Sequence, residues 1–307
     1  MLTNKVKCLK SNIMTNSERK IVQKHTIKTA YKLLESCELC PRACRINRLN
    51  DEKGFCGIGA KAVVSSASPH YGEESVLVGN GGSGTIFLSG CNLGCVFCQN
   101  YDISQLRRGN EVEIDEIVNM MLQLQSRGCI NINFVTPTHV VPHIIESVSL
   151  ARRNGLTIPV VYNCGGYESI DSLRLLEGTV DIYMPDAKYL RFDSSEKYSF
   201  AHDYPDVMKS TLPEMHRQVG DLEIEGGIAI RGLLVRHLVM PNDIACSFNI
   251  IDFLVNEVSG NTFINIMDQY RPIFKAHKFS EINRPLINHE YNKVYEYAKK
   301  QGLRLAD

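Results

Sequence analysis

GTIFLSGCNLGCVFCQN, residues 84–100, is the stretch from which the rest of the chain can be read. An apolar run of β character, Thr85-Ile86-Phe87-Leu88, delivers Cys91, Cys95 and Cys98, three thiols spaced four and three residues apart and expected to converge on one point. Closed structural zinc sites and ordinary iron–sulfur clusters take four protein ligands, so three thiolates suggest a metal position left open for something else. Gly90 and Gly94 let the loop wrap closely around a bulky group, and Phe97 offers an apolar wall beside the last thiol. The alternative is that the three cysteines are small buried hydrophobes. Their interleaving with glycine directly after a strand favours the metal.

Upstream, CELCPRACRINRLNDEKGFCGIG (37–59) holds a second set, Cys37, Cys40, Cys44 and Cys56. Four thiols could close the shell of zinc or of an auxiliary iron–sulfur cluster equally well. So short and polar a loop has little core of its own and would gain stability from ligation, although a loop without metal is the other reading. Cys8 is left over.

Composition narrows the class. Lys+Arg and Asp+Glu both number 34, and no basic run accompanies the aromatics, which speaks against a nucleic-acid partner. The 11 cysteines, with no secretory signal and no apolar run near twenty residues, predict a soluble chain in a reducing, cytoplasmic compartment with no membrane association. The first seventeen residues carry Lys5, Lys7 and Lys10 but no acid, a weak match to a transit peptide because arginine is missing.

Beyond the cysteine loop, strand and helix patterns alternate. Helix 114–128, strand 130–135, helix 142–154, strand 158–162, helix 169–176 and strand 180–184 are expected in turn. A polar excursion follows, then buried runs at 228–230 and 234–240, a helix over 244–258, a strand over 262–267 and a tail helix near 288–301. The pattern predicts an α/β fold, a partial (β/α)6 barrel with about six units. We expect an N-terminal extension with the four-cysteine module over 1–80, the barrel over 81–270 and a C-terminal extension packed on it over 271–307. GNGGSG (79–84) satisfies GxGxxG but precedes a strand, so it reads as a flexible lead-in and not as a dinucleotide site.

Reactive groups in such folds gather on loops at the carboxyl ends of strands. The second strand would deliver Thr136, Pro137, Thr138 and His139, the third Asn163, Gly165 and Gly166, and the fourth Asp186 and Lys188 on one face. The alternative for the last two is a surface ion pair. Arg236 and His237 lie in an apolar run and need partners, either a ligand carboxylate or ribose or a buried acid. Cys129, Cys164 and Cys246 read as core thiols.

The CxxxCxxC spacing with an aromatic before the last cysteine resembles the signature of radical S-adenosylmethionine (SAM) enzymes. CELCPRAC, SGCNLGCVFCQNYDIS, NFVTPTH, VYNCGGYE, VDIYMPDAKY, EMHRQVG, IRGLLVRHLVMP and MDQY extend this to the radical SAM proteins related to pyruvate formate-lyase activating enzymes. The resemblance implies a 4Fe-4S cluster on Cys91, Cys95 and Cys98, SAM on its open iron, and reductive cleavage to a 5′-deoxyadenosyl radical that abstracts hydrogen. It implies Lys188 at the SAM carboxylate, with Asp186, Arg236 and Asn163 nearby. Where the activases carry a Gly-Gly-Glu turn this chain has Thr136-Pro137-Thr138, leaving backbone carbonyls for the SAM amino group. A one-electron donor such as flavodoxin or ferredoxin, and a glycyl-radical protein as substrate, are the implied partners. Modification of another substrate, or a non-catalytic iron–sulfur carrier, are the alternatives.

Overall fold

The computed structural model describes residues 16–306; Cys8 and the lysines that prompted the transit-peptide reading lie outside them. Ten strands form one sheet: β1 Ala62–His70, β2 Ser83–Leu88, β3 Asn110–Val112, β4 Ile132–Val135, β5 Val160–Cys164, β6 Ile182–Pro185, β7 Glu223–Glu225, β8 Ile228–Leu238, β9 Phe263–Met267 and β10 Arg304–Leu305. Their order is β10-β9-β8-β6-β5-β4-β2-β1-β3, with β7 paired to β8 alone. Every pairing from β2 round to β10 is parallel, whereas β1 lies antiparallel on β2 and β3 antiparallel on β1. The six expected parallel strands are therefore present, and the sheet's two ends do not meet among the described residues.

Parallel strands need long crossovers, and helices supply them. Ile114–Ser126, Val141–Arg153 and Ile170–Leu175 alternate with the strands and set their apolar faces against one side of the sheet. Strand residues of alternate parity meet them: Ile132 and Phe134 join the main core, while Asn133 between them is also fully buried on the opposite, interior face. Glu73 accepts from the Asn133 amide at 3.1 Å and Glu74 from the Asn265 amide at 2.8 Å, so the barrel interior is polar where the outer face is not.

Several expectations change. The polar excursion after β6 contains two helices, Phe192–Ser199 and Tyr204–Val219; the first is nearly all polar and the second carries Pro213 inside it, which hid the period. The two buried runs at 228–240 are one strand, continuous through Gly232 at φ 119°. The helix expected over 244–258 starts only at Ser247, after Cys246 in the left-handed region, and ends in a π-helical turn, Leu254–Val258. The glycine cluster is a packed turn and not a flexible lead-in, because a Cβ on Gly81 would stand 1.8 Å from the Gly128 carbonyl oxygen. β1, which lies before the boundary drawn at residue 80, pairs with β2 beyond it, and β10 ties the tail to β9. No helix among the described residues is long and apolar enough to cross a membrane.

The Gly81 contact gives a stability test. Gly81→Ala should lower stability by about 1–3 kcal/mol, since the clash is with backbone that cannot rotate away. The change is read from the denaturant midpoint, and an unmoved midpoint would show that the turn yields freely.

Candidate active site

The loop after β2 is fixed before any ligand arrives. Gly90, at φ 84°, lies so close to the N-terminal module that a Cβ there would stand 2.6 Å from Ile58 Cγ1 and 2.8 Å from the Cys56 carbonyl oxygen. The buried Asn92 amide donates to the Tyr167 carbonyl at 2.5 Å, and Arg42 Nε donates to the Asn92 carbonyl at 2.8 Å. Cys95 Sγ sits 3.0 Å from Ser199 Oγ and Cys98 Sγ 3.1 Å from Ser104 Oγ, while the Leu93 N–H points at Cys91 Sγ from 3.3 Å. Donors aimed at sulfur favour thiolate over thiol. Burial acts the other way and, outweighing the nearby Lys188 ammonium, pushes the Cys91 and Cys98 thiols up.

These three thiols line a cavity of about 230 Å³ together with Thr136, Asn163, Asp186, Lys188 and Arg236. Among the described residues no group of three or more Cys, His, Asp or Glu side chains, the four N-terminal thiols included, is arranged about a single ion. Three thiols spread along one cavity wall suit a multi-iron cluster, in which each thiolate takes its own iron.

The charged groups form a chain. Lys188 Nζ stands 2.6 Å from Asp186 Oδ2, Arg236 Nε 3.1 Å from Asp186 Oδ1, and Arg236 also donates to Asn163 Oδ1 at 2.7 Å. Glu73 lies 3.6 Å from the far side of the same guanidinium. The Asp186 and Lys188 pair is thus not on the surface, and Arg236 has the buried acids that its place in an apolar run required. Burial alone would raise the Asp186 carboxyl, but the two cations hold it below the usual carboxylate range. Burial likewise works against the Lys188 ammonium, and Asp186 more than compensates. Tyr204, fully buried, accepts the Lys188 N–H at 3.0 Å with its hydroxyl within 2.9 Å of the Gly165 and 2.8 Å of the Asp186 carbonyl oxygens. That hydroxyl sets the loops after β5 and β6 against each other.

Thr136 lines the cavity in the left-handed region at φ 61°, a conformation that a β-branched residue adopts only when its surroundings enforce it. Pro137 and Thr138 do not line it. Thr138 turns into the core, where its hydroxyl donates to Glu168 at 2.7 Å. His139 and His237 are buried as well; His237 is satisfied by the Ala187 carbonyl and Ser247. Cys129 and Cys164 are core thiols, Cys164 reaching the cavity, whereas Cys246 is partly exposed and lies 3.0 Å from Asn249 Oδ1. Cys37, Cys40, Cys44 and Cys56 line a second, smaller cavity, and burial pushes the Cys40 thiol up to about 12.

Sequence reasoning missed Ser104, Ser199, Tyr204 and Glu168. Serines on helices carry no signal, but Glu168, closing VYNCGGYE just past a strand end, could have been flagged. It is buried, accepts hydrogen bonds from Thr138 and from Tyr162 at 3.0 Å, and burial pushes its carboxyl up to about 7 from 4.5. An acid raised in the folded state contributes stability that is fully present below pH about 4.5 and lost as pH rises through about 7. Glu168→Gln should flatten that part of the stability curve in chemical denaturation; an unchanged slope would show that Glu168 is ionised throughout.

Comparison with known proteins agrees with this geometry. The sequence model of the Radical SAM superfamily matches residues 85–211. Uncharacterized protein MJ0674 of Methanocaldococcus jannaschii is 35% identical over 292 residues, covering 91% of this chain and 79% of its own length. Uncharacterized protein MJ0808 of the same organism is 26% identical over 265 residues, 78% of this chain and 71% of its own. Among solved structures, methylornithine synthase (PylB) aligns with a TM-score of 0.50 at 11% identity, over 95% of this chain and 72% of that one, a likeness of fold.

Proposed function

This chain belongs to the radical SAM superfamily, and on that premise we propose that Cys91, Cys95 and Cys98 hold its 4Fe-4S cluster and that SAM lies across the cavity toward Lys188. The observation that carries the assignment is the meeting of three thiols and a buried cationic pair on one cavity wall. Cluster and SAM together supply a 5′-deoxyadenosyl radical when reduced by one electron, and flavodoxin or ferredoxin is the class of donor we propose. The chain's own part is to bind, orient and dry. Lys188 spends one N–H on Asp186 and keeps others for the SAM carboxylate. Arg236 fixes Asp186 and Asn163 from below. Backbone around the strained Thr136 takes the SAM amino group. Cys37, Cys40, Cys44 and Cys56 hold a second metal, zinc or an iron–sulfur cluster.

For the substrate we infer a glycyl-radical protein, offered through a loop. Support comes from the exposed Gln99 and Asn100 on the rim of the cavity and from the unclosed sheet beside it. A reactive radical must be shielded from water, so an entering loop would complete the wall. The end of the barrel and the start of the tail border that entrance: Gln99 donates to the Gln269 carbonyl at 3.1 Å, Lys275 N–H to the Val96 carbonyl at 2.8 Å, and Phe274 stacks on Tyr101 at 4.8 Å.

Two measurements test this. Anaerobic protein with SAM and a reductant should release 5′-deoxyadenosine, and a glycyl-radical protein should add a glycyl EPR doublet in step with it. Turnover coupled only to a small metabolite would retire the activase reading alone. Lys188→Ala should weaken SAM binding roughly tenfold to a hundredfold with iron content unchanged, the worth of one charge-assisted hydrogen bond. Unaltered affinity would return Lys188 to a purely structural ion pair.

A further inference from the structure

Arg48 is the largest fully buried side chain among the described residues, at 1% exposure, and its position is at odds with its charge. Its Nε and Nη2 donate to the Gly59 carbonyl at 3.1 and 2.9 Å, and its Nη1 to the His139 carbonyl at 2.7 Å. The remaining contact is Cys37 Sγ, 3.9 Å from Nη1. Among the described residues no carboxylate pairs with it, although every other buried cation of the site has one. Carbonyls satisfy the N–H groups but leave the charge itself unanswered, and a lone buried charge is costly. Arginine cannot shed its proton to escape that cost.

What Arg48 faces is the second cavity, whose wall it shares with Cys37, Cys40, Cys44 and Cys56. His139 belongs to the same wall and carries a second unmet polar group there. Its Nε2 faces the Ser89 carbonyl at 2.8 Å and must carry the proton, which leaves Nδ1 a bare lone pair, buried and without a partner. Arg42, whose guanidinium lies 3.9 Å from the Phe55 ring centroid, lines the same small cavity and has no carboxylate partner among the described residues either. Two cations without an anion and an acceptor without a donor therefore stand against that cavity, Arg48 being the fully buried one.

We propose that Arg48 is the counter-charge of an anionic tetrathiolate metal centre held by Cys37, Cys40, Cys44 and Cys56, and that it pins this centre to the cluster loop. The proposal rests on the four-cysteine reading above and adds the sign of the charge and its partner. Each thiol loses its proton to solvent on ligation. Four thiolates around a divalent ion, or around a dicationic iron–sulfur core, leave a net dianion, so zinc and cluster ask for the same cation. The link to the cluster loop is short: Arg48 holds the His139 carbonyl, and the His139 ring holds the carbonyl of Ser89, two residues before Cys91.

The experiment uses the full chain carrying C91A/C95A/C98A, purified without oxygen, so that metal reports the second centre alone. Zinc without sulfide marks a zinc site, iron with matching sulfide a cluster, and either supports the centre. Finding neither metal would end the four-cysteine reading and this proposal with it. Added to that background, Arg48→Met should lose its metal to a chelator at least roughly tenfold faster. Arg48→Lys, which keeps the charge but not the fork, should stay within roughly threefold of the parent. Metal held by Arg48→Met as tightly as by the parent would overturn the proposal and leave the centre standing. Should Arg48→Met not fold, Arg48→Lys decides: retained metal supports the charge role, and lost metal assigns Arg48 to its carbonyl contacts instead.

Discussion

A charge buried beside a cavity has to be answered by another, and at the carboxyl edge of this sheet Asp186 answers two. Its carboxylate lies 2.6 Å from Lys188 Nζ and 3.1 Å from Arg236 Nε, which lets an ammonium and a guanidinium stand next to three thiols without either being left alone. The triad is possible only because β6 and β8 are parallel neighbours, and just past the end of β6 residues 186 and 236 still pair in parallel register. The topology thus decides the electrostatics. An ordering of strands that separated β6 from β8 would leave Arg236 without Asp186 and Lys188 without the group that keeps it charged.

Much of this was legible in the sequence because it depended on local pattern. The three-cysteine loop, the parallel strands that follow it and the residues at their ends are short-range features, and apolar alternation marks strands well when helices punctuate them. Asp186 and Lys188 could be set on one face from strand period alone. What was not legible was set by tertiary context. Thr138 looks like Thr136 in the sequence, yet the left-handed turn at Thr136 sends the chain inward and gives Thr138 to Glu168. The helices at Phe192–Ser199 and Tyr204–Val219 exist through what they bury, Tyr204 above all, and their composition does not announce them. Arg48 reads as one more basic residue in a polar loop until its burial is seen.

The N-terminal module and the tail both lean on the same loop. Arg42 reaches it through Asn92, Gly90 touches the backbone of Cys56, and the Lys275 N–H meets the Val96 carbonyl from the other side. A loop that must carry a cluster cannot be held by the cluster alone, since the thiols need to be in place before ligation. Here the positioning is done by backbone contacts and amides that involve no sulfur. The Leu93 N–H at Cys91 and the Ser104 hydroxyl at Cys98 then tune two thiols whose place is already fixed.

The central claim is that Cys91, Cys95 and Cys98 leave one iron of a cluster open for SAM beside Lys188. Low-temperature EPR of the reduced, reconstituted protein, recorded with and without SAM, tests it most directly. The account predicts a 4Fe-4S signal that changes shape when SAM is added and that Cys95→Ala abolishes. A cluster whose spectrum is indifferent to saturating SAM, with its iron and sulfide content intact, would contradict it.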